Sequence, residues 1–353
     1  MRANEDVVGG NPRSTASPRI PDTPSFQKAF RITRESGSNF VAAFRLLPVP
    51  QRDAMTVLYA FTRRTDDMAD GEPEGVTPST EERKTLLARW RTEVARLESP
   101  LSKSPSPPEP IPSNSPPSST DSPIDSVFTE SVKIVPALRE TLRRYPIGVE
   151  SLLAVIDGVV SDLSGPVRLE TEEEALLYCD RVAGAVGKGV LAILGTKVPL
   201  TDPQLQKWGI ACGRALQWTN FLRDLREDVK DRGRVYFPMS DFRETGLSPR
   251  DLLALTDRGK EGRPVLRFRL QDPHDPLTLF LTRQLTRTES FYAESEPLAD
   301  HLEEEGKKVY HVMRGIYHAI FRKIQKRPEI IFERRIRVPF PQKTILLLRA
   351  LFR

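Results

Sequence analysis

Two aspartate-bearing stretches, far apart in the chain, repeat one helical arithmetic: Tyr59-Ala-Phe-Thr-Arg-Arg-Thr-Asp-Asp-Met-Ala-Asp70 and Gln217-Trp-Thr-Asn-Phe-Leu-Arg-Asp-Leu-Arg-Glu-Asp228. Residues four apart share one face of an α-helix. Asp66 and Asp70 therefore stack in one column, and Asn220, Asp224 and Asp228 in another. Turned by about 100° per residue, the first stretch gathers Ala54, Val57, Leu58, Phe61, Thr65 and Met68 as a core stripe, with Tyr59, Arg63, Asp66 and Asp70 opposite. The second gathers Trp218, Leu222, Leu225 and Val229 against Gly213, Gln217, Asn220, Asp224, Glu227 and Asp228. Asp67 stands apart from the first column. Stacked carboxylates repel by about a few tenths of a kcal/mol per pair unless a cation neutralises them. An oxygen-only donor set of this kind suits Mg²⁺, a hard ion that bridges carboxylates to substrate phosphates.

The remaining chain reads as helices too. Residues 1–24 are polar and rich in Pro, Gly and Ser, and read as a disordered leader. A helical pattern starts near Ser25, breaks at Ser36-Gly-Ser-Asn39, and resumes as Phe40–Leu47, which Pro48 closes. Pro50 opens the first acidic helix, which is expected to run to Gly71. A helix over about 80–97 precedes 99–125, a Pro/Ser-rich stretch without hydrophobic period that reads as a flexible insertion within one domain. Helices near 126–145 and 148–163 follow. Residues 171–195 open with a capping-box pattern and carry much Gly, with Tyr178, Ala185 and Gly189 counted onto one face. That small-residue face leaves room for a helix crossing or for a ligand chain. The second acidic helix spans 203–231, and two or three more helices fill 275–326. Arg334-Arg-Ile-Arg337 and an apolar tail end the sequence. No sustained period-2 alternation, Rossmann glycine fingerprint, P-loop or zinc motif occurs. The expected fold class is all-α.

Composition narrows the setting. A chain of 353 residues with 38% hydrophobic residues can build a sizeable core, and a net charge of +5 fits anionic partners without choosing among them. Two cysteines, Cys179 and Cys212, exclude a disulfide framework and suit a reducing cytosol. Residues 1–24 hold no signal-peptide core and no apolar run reaches spanning length. The expected location is cytoplasmic, with peripheral membrane contact through the apolar tail compatible with it. The four histidines read as surface or core-edge residues.

Two acidic faces backed by core stripes suggest a cavity between facing helices with a metal rim at its mouth. Arg63, Arg223, Arg334 and Lys188 add cations to that rim. Carboxylate, Mg²⁺ and arginine together hold diphosphate and stabilise its departure. A dry cavity with aromatic faces then shelters a carbocation.

These residues resemble the squalene and phytoene synthase family, the head-to-head isoprenyl diphosphate synthases. Arg63-Arg-Thr-Asp-Asp-Met-Ala-Asp70 is similar to the family's first Asp-rich motif. Gln217–Asp228 with Arg232-Gly-Arg-Val-Tyr-Phe-Pro238 resembles the second, and Tyr178-Cys-Asp-Arg-Val-Ala-Gly-Ala-Val-Gly187 resembles its Tyr…Val-Ala-Gly-x-Val-Gly segment. The resemblance runs from about residue 25 onward and implies one isoprenoid synthase helical domain over 25–353 with a central cavity. It implies Mg²⁺ on Asp66, Asp70, Asn220, Asp224 and Asp228, diphosphate contacts from Arg63, Gln217, Arg223, Tyr317 and Arg334, and Tyr178 near the reacting centre. It also tips the face of Ala185 and Gly189 toward an isoprenoid tunnel. Two prenyl diphosphates would condense through a cyclopropylcarbinyl diphosphate. Ser36-Gly-Ser-Asn-Phe40 and Arg335–Ala350 look most like bacterial presqualene diphosphate synthases, which use farnesyl diphosphate and leave later steps to partner enzymes of the squalene pathway. A phytoene synthase acting on geranylgeranyl diphosphate is the alternative. A non-catalytic helical assembly protein of the same fold is the non-enzyme alternative, and nucleic acid is not expected as a partner.

Overall fold

A computed structural model describes residues 23–38, 40–70, 78–98, 123–163, 167–258 and 272–351. Among them the structure is all-α: no strand forms, and only two isolated bridges occur, Arg168 with Val235 and Thr196 with Leu302. The expected leader through residue 22 and the insertion over 99–122 lie outside the described residues. At their edges the helices begin earlier than expected. Thr23 Oγ1 caps the helix Pro24–Glu35, accepting from the Phe26 amide, and Pro123 to Asp125 form the first turn of Pro123–Val132.

The first acidic helix, Val49–Asp70, is the central post. Its whole expected stripe is buried: Ala54, Val57, Leu58, Phe61, Thr65 and Met68. Thr65 Oγ1 accepts from the indole of Trp90, 3.1 Å away on the helix Thr80–Ala95, which ties the two together. Pro24–Glu35, Val135–Arg144 and Val149–Ser161 also pack on it. The stretch 126–145 is two helices rather than one, Pro123–Val132 and Val135–Arg144. Pro136 explains the break, because proline is tolerated in a first turn and not in a helix interior.

The second acidic helix is likewise divided, into Pro203–Arg223 and Leu225–Asp231, with Asp224 between them at φ −99° and ψ 4°. That is the sparsely populated bridge region where many active-site residues sit. The backbone bonds from Asp224 to Asn220 and from Asp228 to Asp224, both 2.9 Å, carry the four-residue spacing across the break.

Behind this helix lies a buried polar network. The Trp218 indole donates to Gln284 at 3.1 Å, and Gln284 donates to Asp241 at 2.8 Å. Arg287 donates to both Asp241 oxygens, at 2.6 and 3.2 Å, and pairs with Glu172 at 2.6 and 2.9 Å. Helices Pro276–Glu294, Met239–Thr245 and Glu172–Cys179 are thereby tied to the back of Trp218.

The glycine-rich stretch carries the largest departure from simple counting. Between Glu172–Cys179 and Ala185–Leu194 lies one π-helical turn, Asp180–Gly184, closed by the Ala185 amide donating to the Asp180 carbonyl. Arg214 clamps that turn through a bidentate pair with Asp180, at 2.6 and 2.8 Å. A π turn inserts one residue into the helical count, rotating everything after it. Tyr178 therefore does not share a face with Ala185 and Gly189. Gly189 instead faces Leu58 of the first acidic helix, where an added Cβ would come within 3.1 Å of the leucine side chain. It serves a helix crossing.

The last helix, Phe340–Leu351, packs on Glu304–Lys326 and leaves Ile345 and Leu348 half exposed. No helix among the described residues is long and apolar enough to cross a membrane.

Candidate active site

The two acidic helices face each other across a cavity of about 820 Å³. Its apolar wall includes Phe44, Met55, Leu58, Val186, Val190 and Leu194, and its polar end carries Arg63, Asp66, Gln217, Asn220, Arg223 and Tyr317. Six sequence-derived site residues thus share one cavity end. The wall between the helices comes from Val182, Ala183, Val186, Gly187 and Val190, the face that the π turn rotates inward.

The acidic columns converge at that end through arginines. Arg232 reaches Asp70 and Asp228 at 3.3 Å each, bridging the two columns, and Arg234 lies 3.9 Å from Asp70. Asp224 is gripped by Arg223, one contact being 2.8 Å, and by Arg335 at 2.9 Å. Arg63 pairs with Asp67 at 2.8 Å along the same helix. Arg335, rather than the exposed Arg334, turns to Asp224 and also meets Glu227 at 3.4 Å. Lys188 is exposed and off the cavity wall. Tyr317 stacks on Phe40 with centroids 5.2 Å apart, and the Arg223 guanidinium lies 5.8 Å from its ring centroid.

The electrostatics favour a cation. Enclosure by protein, then repulsion from Asp70, pushes the Asp66 carboxyl up to about 7, with Arg63 offsetting part of it. Burial, then Asp224, pushes Asp228 up to about 7, with Arg232 opposing. Asn220 Oδ1 is buried and meets no hydrogen-bond partner among the described residues. Carboxylates whose charge is disfavoured where they stand, with an orphaned amide oxygen on the facing column, are a donor set that fits a hard divalent ion such as Mg²⁺. Among the described residues no three acidic, histidine or cysteine side chains close on one point. A bound ion would therefore take its remaining ligands from water or substrate, as Mg²⁺ commonly does.

The buried Asp228 carboxyl binds its proton more tightly in the folded chain than in the unfolded one, and Asp66, which is open to the cavity's solvent, adds a smaller contribution of the same sign. Their contribution is thus present in acid and lost as pH rises through the window from about 4 to about 7. The metal-free protein is expected to melt at a higher temperature near pH 5 than near pH 8, and added Mg²⁺ to raise Tm more near pH 8. Thermal denaturation in chelator across that range checks this; a Tm that climbs steadily with pH contradicts it.

Asp162 escaped sequence reasoning. This residue, just past the helix Val149–Ser161, accepts from the Tyr178 hydroxyl at 2.9 Å and from Tyr236 at 3.1 Å. Tyr178 is half-buried beside this carboxylate and not on the cavity wall itself. Burial and the adjacent Asp162 carboxylate raise its phenol well above the ordinary range. Nothing in the local periodicity marks Asp162, because its partners come from two other parts of the chain.

Comparison with known proteins now bears on this arrangement. The family model described as squalene/phytoene synthase matches residues 33–342, which contain both acidic helices and the cavity. The chain belongs to the squalene/phytoene synthase family. Its relatives include the phytoene synthase of Mycobacterium tuberculosis, 29% identical over 314 residues that span 88% of this chain and 86% of that protein. The presqualene diphosphate synthase of Zymomonas mobilis is 33% identical over 217 residues, 61% of each chain. A solved dehydrosqualene synthase aligns at TM-score 0.64 and 20% identity, covering 93% of this chain and 95% of its own. A squalene synthase from Alicyclobacillus acidocaldarius aligns at 0.63 and 20%, covering 86% and 93%. At those identities the structures speak for the fold, the isoprenoid synthase helical fold expected from the family's motifs.

Proposed function

We propose that this protein condenses two prenyl diphosphates head to head, with Mg²⁺, and that its substrate is farnesyl diphosphate and its product presqualene diphosphate. One observation carries the reading: a cavity with an apolar wall carries Asp66 and Asn220, one from each column, at a polar end with Arg63 and Arg223, and arginines join the two columns beside it. Apolar walls suit the isoprenoid chains, and the polar end suits the diphosphates.

Asp66, Asp70, Asn220, Asp224 and Asp228 would hold Mg²⁺, which supplies Lewis-acid stabilisation of the leaving diphosphate. Arg63, Arg223 and Arg335 present guanidinium forks to the same charge, with Gln217 and Tyr317 ordering it. The C1–O bond of one substrate breaks and its electron pair leaves with diphosphate. The C2=C3 bond of the second substrate attacks that C1. That C1, now bonded to C2 of the second substrate, loses a proton and closes onto C3 to complete the cyclopropane, so one diphosphate and one proton are released and the second diphosphate stays on the carbinyl carbon. The chain excludes water from the cation through Val182, Val186, Val190 and Leu58.

The phytoene reading has its own support, since the mycobacterial phytoene synthase aligns over more of this chain than the presqualene diphosphate synthases do. A non-catalytic role is disfavoured by an open cavity with both columns intact. Incubation of the protein with farnesyl or geranylgeranyl diphosphate and Mg²⁺, with products weighed by mass spectrometry, separates these readings. The expected result is consumption of farnesyl diphosphate with accumulation of a C30 cyclopropyl diphosphate. A C40 product instead selects the phytoene reading, and no consumption of either substrate removes the enzyme assignment.

A further inference from the structure

Asp162 has no part in the chemistry above, yet it anchors the aromatic cluster beside it. Both phenols donate to a single oxygen, Oδ2, from Tyr178 at 2.9 Å and from Tyr236 at 3.1 Å. Three rings surround the contact: Tyr236 stacks on Phe221 with centroids 4.9 Å apart and planes 4° apart, and Tyr178 lies 5.2 Å from Tyr236 and 6.0 Å from Phe221. Phe221 stands on the second acidic helix between Asn220 and Asp224, and Tyr178 stands just before the π turn whose Val182 and Ala183 line the cavity. The other carboxylate oxygen, Oδ1, is buried and meets no hydrogen-bond partner among the described residues. Burial raises the Asp162 carboxyl, the two phenols and Arg234 oppose that, and Asp70 adds to it.

Linking two tyrosines would need only a neutral acceptor. A carboxylate with one oxygen orphaned, next to two acidic columns, is a costly way to do it. What the charge adds is electronic. A phenol donating to a carboxylate forms a charge-assisted bond and keeps its ring and oxygen lone pairs electron-rich, the property that favours a nearby carbocation.

We propose that Asp162 is a positioning residue for the condensation: its Oδ2 fixes the phenols of Tyr178 and Tyr236 behind the wall at the diphosphate end of the cavity, so that electron-rich rings back the wall that faces the cationic centre. The inference rests on the head-to-head reading of the same site. It also divides geometry from charge, because both hydrogen bonds fall on one oxygen. Asparagine can keep both bonds while removing the charge, and alanine removes both.

The test is steady-state turnover of the Asp162→Ala and Asp162→Asn proteins with farnesyl diphosphate and Mg²⁺, with products separated into condensed diphosphate and free prenyl alcohol. Mn²⁺ binding by electron paramagnetic resonance and folding by circular dichroism accompany it. Asp162→Ala is expected to lose about 100-fold in kcat with KM within about threefold, and Asp162→Asn to recover about tenfold of that loss. In both, the alcohol share rises as water quenches a poorly held cation, and Mn²⁺ affinity stays within about twofold of the parent. Wild-type kcat in Asp162→Ala overturns the inference, as does an asparagine variant as damaged as the alanine one. Weakened Mn²⁺ binding would make Asp162 a metal ligand instead. If the alanine protein does not fold, the asparagine protein decides, and an unchanged kcat and product ratio there overturns the proposal. A wild-type protein that consumes no prenyl diphosphate fails the functional reading itself, a result distinct from all of these.

Discussion

Asp66→Ala is expected to lower kcat by at least about 10³-fold, the scale on which removal of a principal electrostatic contributor acts, while leaving the fold intact or slightly firmer. Asp66 lies on the cavity wall, and its carboxyl is pushed up to about 7 by enclosure and by Asp70. In the metal-free protein that carboxylate is a source of repulsion, so its removal costs the fold nothing. Function and stability then move in opposite directions, the pattern expected where a site stores unfavourable charge for a ligand. Turnover with farnesyl diphosphate, together with Tm in chelator near pH 8, measures both. Loss of activity accompanied by a large drop in Tm would mean that Asp66 serves the fold and not the reaction, and retained activity would remove it from the metal site. Asp224→Ala differs in one respect: it also frees Arg223 and Arg335, so its effect includes the loss of two cations from their present positions.

Arg287→Ala is expected to be the most damaging single change to stability. Asp241 is 1% exposed and Arg287 9%, and each is held by the other and by Gln284. Removing one partner of a buried pair leaves an uncompensated charge and costs about 3–5 kcal/mol. Arg283, 3.1 Å from Asp241, recovers part of it and places the loss near the lower end of that range. For a chain of this size the drop in Tm is about 5 °C. A double replacement by apolar residues, Arg287→Met with Asp241→Leu, is expected to be more stable than Arg287→Ala alone, because no buried charge is left unpaired. Thermal denaturation of the three proteins checks the ordering; an unaltered Tm in Arg287→Ala contradicts it. The Trp218–Gln284 bond joins this network to the second acidic helix, so activity should decline along with stability.

How much of this was legible in the sequence differs by the range of the interaction. Core stripes and acidic columns are properties of one helix, and Phe61, Met68, Trp218 and Leu222 are buried as their periodicity demands. The all-α class followed from the same periods. The π turn at Asp180–Gly184 was not legible, because a count of 3.6 residues per turn cannot register an inserted residue whose stabiliser, Arg214, lies on another helix. The face around Ala185 and Gly189 was misassigned for that reason. That Arg335 reaches Asp224 was not legible, because direction in an irregular segment has no period to read. Asp162 and Tyr236 were invisible one at a time, and became meaningful only when the fold brought Tyr178 to them. The counter-ions Arg232 and Arg234 sat within a quoted motif, but their reach across to Asp70 on the other column is tertiary.

The wall formed by Arg335, Ile336, Arg337 and Val338 has a consequence for how the protein comes to life. These residues line the cavity, yet they leave the ribosome long after both acidic columns have emerged. A nascent chain that has already folded its central helices would hold an incompletely walled hydrophobic cavity, the kind of exposed surface that invites aggregation during synthesis. Asp224 gains its partner Arg335 only after the chain has been made through that residue. Assembly of the site therefore waits for this segment, and the two acidic helices alone do not complete it.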